Sequence, residues 1–84
     1  MPELSRFYGI VIRLYYEEKE HNLPHIHAKY GKDAASIDIN SGELLSGNLP
    51  MNARKLVKKW VLMHSQEIMD IWETQKFKKI EPLE

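Results

Sequence analysis

The sequence predicts an α+β domain, a four-stranded antiparallel β-meander packed on one face by a long C-terminal amphipathic helix. Three observations predict this class. Period-two alternation runs to about residue 50, the 3.6-residue period begins there, and the connections are short. The apolar stripe of such a helix has to be buried against one face of the sheet. With 84 residues and no repeat or linker, the chain has the length of a single domain, 1–84.

Strand patterns are strongest where β-branched and aromatic residues alternate with polar ones. The connections contain Gly, Asn or Asp, and Pro24 ends the longest of them. The predicted strands are Gly9–Tyr16, His25–Tyr30, Ala34–Asn40 and Glu43–Ser46. Side-chain alternation then assigns an inner, helix-covered face to Ile10, Ile12, Leu14, Ile26, Ala28, Tyr30, Ala35, Ile37 and Ile39. The outer face collects Arg13, Tyr15, His25, His27, Lys29, Ser36 and Asp38.

The second half of the chain predicts a helix from Met51 to Gln75, opened by Pro50 and uninterrupted by Gly or Pro. The apolar stripe keeps its phase throughout, which favours one continuous helix. Ser65 can also cap a second helix, so a kink or split near residue 64 is the alternative. Residues 77–84 are expected to form an extended tail, with Phe77 or Ile80 docked on the body.

Composition excludes several classes of protein. The chain has no cysteine, so neither a disulfide framework nor a thiolate metal site is expected. The formal net charge is zero, which counts against a non-specific nucleic-acid binder. No apolar run approaches about 20 residues, and the start lacks a signal-peptide pattern, so we expect a cytoplasmic protein without a membrane segment. Because so small a core gives modest stability, we expect a homodimer or a bound partner as a source of additional stability.

Histidines are the most distinctive candidates for chemistry. His25 and His27 are two residues apart on a predicted strand, so they point to the same side with Cβ atoms about 6–7 Å apart. Either ring can act as a general acid or base without a metal. No cofactor is predicted, but a metal, if bound, would take His21, His25 and His27, or a nearby carboxylate in place of His21. The structural alternative is that these histidines are merely exposed or hydrogen-bonded to a neighbouring strand or loop.

Other residues of the predicted outer face suit a binding surface. Arg13 and Tyr15 can pair with and stack on a nucleotide, or become buried in a dimer. Lys29 and Asp38 lie on the same face, which makes them candidate binding residues. Arg6 precedes the first predicted strand and is expected to line one end of the sheet, where it can contact a phosphate or a partner protein.

The helix carries charges and large side chains that have structural explanations. Its early turns contain a basic cluster, which is either a solvated face or a contact for a phosphate backbone or an acidic partner. The cluster consists of Arg54, Lys55, Lys58 and Lys59. His64 lies on the apolar stripe and is expected to be a hydrogen-bonded core residue. Trp60 and Trp72 are expected to pack in the core, with an interface hot spot as the alternative.

Several segments together resemble a family of small bacterial proteins, the domain of unknown function DUF4160. The resemblance covers nearly the whole chain, and P-H-x-H-A-x-Y-G at Pro24 to Gly31 is its most specific element. Leu23 stands where the family commonly has a second Pro. The other matching segments are M-P-E-L-S-R-F-Y-G-I-V-I from Met1, H-N-L from His21, I-D-I-N-S-G-E from Ile37, L-P at Leu49, W-x-x-x-H at Trp60 and W-E at Trp72.

The resemblance implies a function that the residues alone do not give. Such proteins resemble partners in two-gene bacterial operons and have been suggested to be toxins of toxin–antitoxin pairs. We therefore expect a growth-inhibiting type II toxin that acts on RNA or translation and is restrained by a cognate antitoxin. His25 and His27 are then the candidate acid and base, and Arg13 or Arg6 the candidate phosphate ligand. The alternatives are a non-enzymatic interaction module, either antitoxin or adaptor, and a small metalloprotein with a histidine site.

Overall fold

The computed structural model describes residues 3–14 and 24–83. These residues form strands and one helix in the predicted order, and every strand pairs antiparallel with the next. The predicted antiparallel meander of an α+β fold is therefore confirmed. The elements are β1 (Glu3–Phe7), β2 (Ile10–Arg13), β3 (His25–Tyr30), β4 (Asp33–Asp38), β5 (Leu44–Gly47) and α1 (Met51–Thr74).

The sheet has five strands, so the prediction of four strands was wrong by one. The additional strand is β1, which forms a hairpin with β2 through Tyr8 and Gly9. Both turn residues have positive φ, 51° and 79°, as a two-residue hairpin turn that follows the twist of the strands requires. The alternation pattern places Gly9 in the first predicted strand, whereas in the structure it is a turn residue before β2.

An irregularity in pairing concealed β1 from the sequence pattern. The register between β1 and β2 shifts between Glu3 and Ser5, so Leu4 and Ser5 are both buried although they are adjacent. Such a bulge interrupts the strict alternation by which a strand is recognised. The segment therefore pairs as a strand without showing a strand pattern.

Helix α1 covers the inner face of the sheet, as the two periodicities predicted. Eight of the nine residues assigned to the inner face are buried, and Tyr30 is partly buried against the same core. The helix contributes Val57, Trp60, Val61 and Ile68, which have no exposed surface. A single apolar layer between sheet and helix is thus the core of the molecule.

The helix is kinked at His64, whose φ of −121° and ψ of 18° are not helical. The kinked helix is the alternative that the sequence left open, rather than the uninterrupted helix that it favoured. The His64 ring lies 5.3 Å from the Trp60 ring, and its Nδ1 is 2.8 Å from Glu67 Oε1. His64 is partly buried and hydrogen-bonded, in agreement with its predicted structural role.

Residues 75–83 follow the helix without regular secondary structure and pack back on the body. The Ile80 side chain is buried, and its N–H donates to the carbonyl of Leu4 on β1. Trp60 Nε1 donates to the carbonyl of Glu81 at 2.9 Å. Of the two side chains considered for docking, Ile80 is therefore the one that docks, while Phe77 is 39% exposed.

Acid is expected to weaken this fold through Glu67. The hydrogen bond with His64 holds the pKa of Glu67 below its ordinary value of 4.5. A carboxyl with a depressed pKa in the folded state stabilises the protein above its unfolded-state pKa, and this contribution is lost as pH falls through the folded-state pKa. Urea unfolding at pH 6 and pH 3 should show the loss, and Glu67→Gln should reduce it. An identical loss in the variant would contradict this role.

Candidate functional site

On the face of the sheet opposite α1, the predicted site residues lie side by side in rows of cross-strand partners. One row crosses four strands, with Arg13 opposite His27, His27 opposite Ser36, and Ser36 opposite Ser46. In the next rows His25 lies opposite Asp38, and Lys29 lies between Val11 and Ala34. Paired residues of antiparallel strands share a face, so the register brings both histidines together with Arg13. We call these rows the outer face.

The centre of this face is the pair formed by His25 and His27 on β3. The ring centroids are 5.1 Å apart and the planes meet at 66°, an edge-to-face contact. The two rings are therefore adjacent, as their spacing on a strand predicted. Arg13 on β2 is the register partner of His27, which adds a permanent cation to the same region.

The two histidines differ in their exposure. His25 is only 7% exposed, whereas His27 is half-buried with its Nε2 atom enclosed. His25 therefore belongs to the outer face by register but is almost fully buried there. His27 is the more exposed residue of the pair.

Trp72 is one of the side chains packed against His25. Its ring centroid is 5.4 Å from that of His25, with 56° between the planes. Trp72 lies near the end of α1, beyond the kink, where the helix reaches the end of the sheet at which β3 begins. Its phase beside the apolar stripe predicted core packing, but only the folded helix shows that it reaches the histidines.

Two predicted binding residues have structural partners. Arg6 forms a two-pronged ion pair with Glu3, at 2.9 and 3.2 Å, which raises the pKa of Arg6 and lowers that of Glu3. The carboxylate of Asp38 accepts hydrogen bonds from the backbone N–H groups of Asn40 and Ser41, so it shapes the turn after β4. Lys29 is exposed and remains available on the outer face.

Tyr15 and His21 lie outside the described residues, so their predicted roles stay predictions. Within residues 3–14 and 24–83, no group of three or more His, Asp or Glu side chains is arranged to hold a metal ion. A metal site formed by His21, His25 and His27 therefore also stays a prediction. Over the same ranges, α1 is the only helix, and it is not apolar enough to cross a membrane.

The fold and the site define a small α+β domain with a five-stranded antiparallel meander, one covering helix and a histidine pair on the other face. The family model described as a domain of unknown function, DUF4160, matches residues 9–73, and the chain belongs to this family. The match includes Arg13, His25, His27 and Trp72 but not Arg6. No curated protein and no solved structure matches the chain.

Proposed function

We propose that this protein is the toxin of a bacterial type II toxin–antitoxin pair, which acts in the cytoplasm on RNA or translation. Its cognate antitoxin is the proposed partner, and no cofactor is required. The observation that supports this best is the His25–His27 contact at 5.1 Å beside Arg13. Two imidazoles and a guanidinium group are sufficient for metal-free cleavage of RNA.

The proposed reaction is transfer of the phosphodiester to the neighbouring ribose hydroxyl. One imidazole removes the proton of the 2′-OH, whose oxygen attacks the adjacent phosphorus. The bond from phosphorus to the 5′ oxygen breaks, and the protonated second imidazole supplies the proton to that oxygen. The products are a 2′,3′-cyclic phosphate and a 5′-OH end, and Arg13 stabilises the charge that develops on the phosphoryl oxygens.

Exposure assigns different tasks to the two histidines. Because His27 is the more exposed of the two, we assign it to the substrate. His25 is packed between His27 and Trp72, and it becomes the second proton carrier only if Trp72 moves aside. Trp72 accordingly controls whether the His25 ring can reach the substrate.

Replacement of His27 with alanine is expected to abolish growth inhibition in a bacterial host. Loss of a general acid or base lowers a rate by about 10²–10⁴-fold, which is enough to remove a toxic phenotype. His25→Ala is expected to act in the same direction. RNA from the expressing cells should contain 5′-OH ends with the wild-type chain and lack them with the variants.

The matched control is His64→Gln, because His64 is also a partly buried histidine in a ring contact but lies at the helix kink. It should remain inhibitory, and circular dichroism should show that all variants are folded. If folded His25→Ala and His27→Ala chains inhibit growth as strongly as the wild type, the catalytic proposal is wrong.

The burial of His25 against Trp72 favours a second candidate, a non-enzymatic interaction module that serves as antitoxin or adaptor. In that case the histidines stabilise one end of the sheet, and the outer face or a strand edge binds the partner. A wild-type chain that is stable, causes no growth inhibition and generates no RNA cleavage would favour the module over the toxin.

A further inference from the structure

The two edges of the sheet differ in how they are covered. At β1, the tail lies alongside the strand, and the Ile80 N–H donates to the Leu4 carbonyl. At the opposite edge, β5 is the last strand in the order, and within the described chain no further strand pairs with it. Leu45, Ser46 and Gly47 are exposed there, with Leu45 at 42%. β5 also carries no Lys or Pro, the residues that commonly protect an edge from pairing.

A groove adjoins this open edge. Its volume is about 170 Å³, and it lies between the β4–β5 hairpin and the first two turns of α1. Ile37, Leu44 and Met51 provide its apolar part, and the Met51 side chain is 59% exposed. An extended segment paired with β5 would direct alternate side chains towards this groove, because neighbouring residues of a strand face opposite sides.

The remaining lining of the groove is mainly basic. Lys58 Nζ donates a hydrogen bond to Glu43 Oε2 at 2.6 Å and forms an ion pair with it. This contact, together with the charge of Arg54, holds the pKa of Glu43 below its ordinary value. Arg54 and Lys55 also line the groove, and no carboxylate of the described residues lies within ion-pair distance of either. The groove therefore has a positive charge that an acidic occupant would neutralise.

We propose that the β5 edge and this groove bind an extended acidic segment of a partner protein, which adds a sixth strand to the sheet. Backbone groups of β5 provide the pairing, the apolar wall accepts side chains, and Arg54 and Lys55 bind carboxylates. A nucleic-acid backbone fits less well, since it cannot pair with a strand edge and would meet Glu43 and an apolar wall. A second copy also fits less well, because its β5, Leu-Leu-Ser-Gly, has no acidic residue.

The inference does not depend on RNA cleavage. Under the proposed function, the segment belongs to the antitoxin, but binding at this edge can be measured without toxicity. A failure here therefore leaves the histidine proposal standing, and inactive histidines leave this one standing.

The test uses three synthetic probes with the full chain and records amide chemical shifts by NMR. The probes are an eight-residue peptide of alternating Glu and Val, the same peptide with Lys in place of Glu, and a single-stranded RNA octamer. The acidic peptide is expected to shift the amides of residues 44–47 and 51–58 and to bind more tightly than the other two. An equal response to the Lys peptide, stronger binding of RNA at these residues, or no response to the acidic peptide would overturn the proposal.

Variants locate the binding site. Arg54→Gln with Lys55→Gln should weaken the acidic peptide about tenfold, the effect of losing two partly exposed ion pairs. Leu45→Pro should weaken it further, since proline cannot donate to a new strand. The matched control is Lys76→Gln with Lys79→Gln, which removes two exposed charges after α1 and should bind like the wild type. Equal weakening by the control pair would show a general charge effect and overturn the assignment to the groove.

Discussion

Replacement of Trp60 with alanine is expected to lower the free energy of unfolding by about 3–5 kcal/mol, the usual cost of removing a large buried aromatic side chain. The Trp60 side chain has no exposed surface, and its ring lies 5.6 Å from that of Phe7 and 5.3 Å from that of His64. It joins the start of the sheet to the helix kink. The substitution leaves a cavity at a point where three parts of the fold meet.

Trp60 also forms a hydrogen bond with the C-terminal tail. The contributions of its ring volume and of this hydrogen bond to the free energy of unfolding can therefore be measured separately. Trp60→Phe retains most of the ring volume but loses the hydrogen bond from Nε1 to the Glu81 carbonyl, and should cost about 1 kcal/mol from that bond alone. Leu62→Ala, at a 49% exposed position of the same helix, is the control and should have little effect. Urea unfolding followed by circular dichroism measures all three. A Trp60→Ala midpoint equal to that of the wild type would contradict the described core.

Replacement of Gly47 with alanine is expected to destabilise the fold by about 2–5 kcal/mol, because strain and a steric clash act together. Gly47 ends β5 with a φ of +83°, which side-chain-bearing residues rarely adopt. A Cβ atom there would collide with the Ala34 carbonyl oxygen and lie 2.8 Å from Ala35 Cα. Both are backbone atoms of β4, so the clash is relieved only by moving β5 away from the sheet.

Gly31→Ala separates the two causes. Gly31 also has a positive φ, +61°, but a Cβ atom would meet nothing within 4 Å. Its cost should therefore be limited to the backbone strain, about 1–2 kcal/mol. Thermal or urea unfolding of both variants checks the comparison. Equal destabilisation of the two variants would mean that the close contact between Gly47 and β4 adds nothing to the cost of the substitution.

The regular parts of the fold were predictable from the sequence because their patterns are local. The alternation in His25–Tyr30 and in Ala34–Asn40 assigned the faces of β3 and β4, and the stripe from Ala53 to Ile71 assigned the buried side of α1. The strand β1 was not predictable in this way, because the bulge at Leu4 buries two consecutive residues. The docking of Ile80 was anticipated as one of two alternatives, and its pairing with Leu4 selected between them.

The candidate site was only partly predictable. Spacing placed His25 and His27 side by side, and the meander brought Arg13 opposite His27. Local spacing did not indicate that Asp38 is engaged by the turn that follows it or that Arg6 is paired with Glu3. Nor did it indicate that Trp72, 47 positions after His25, would pack against that ring.

The sequence by itself determined the class of the fold and the identity of the helix-covered face, since both depend on periodicity within one segment. It also determined the order of β2 to β5, which follows from their short connections. Only the tertiary structure decided which histidine is more exposed, which edge strand is left uncovered, and which side chains Trp60 and Trp72 pack against. These properties depend on side chains that are distant along the chain. Their positions follow from how the helix crosses the sheet and from its bend at His64, which the local pattern offered only as an alternative.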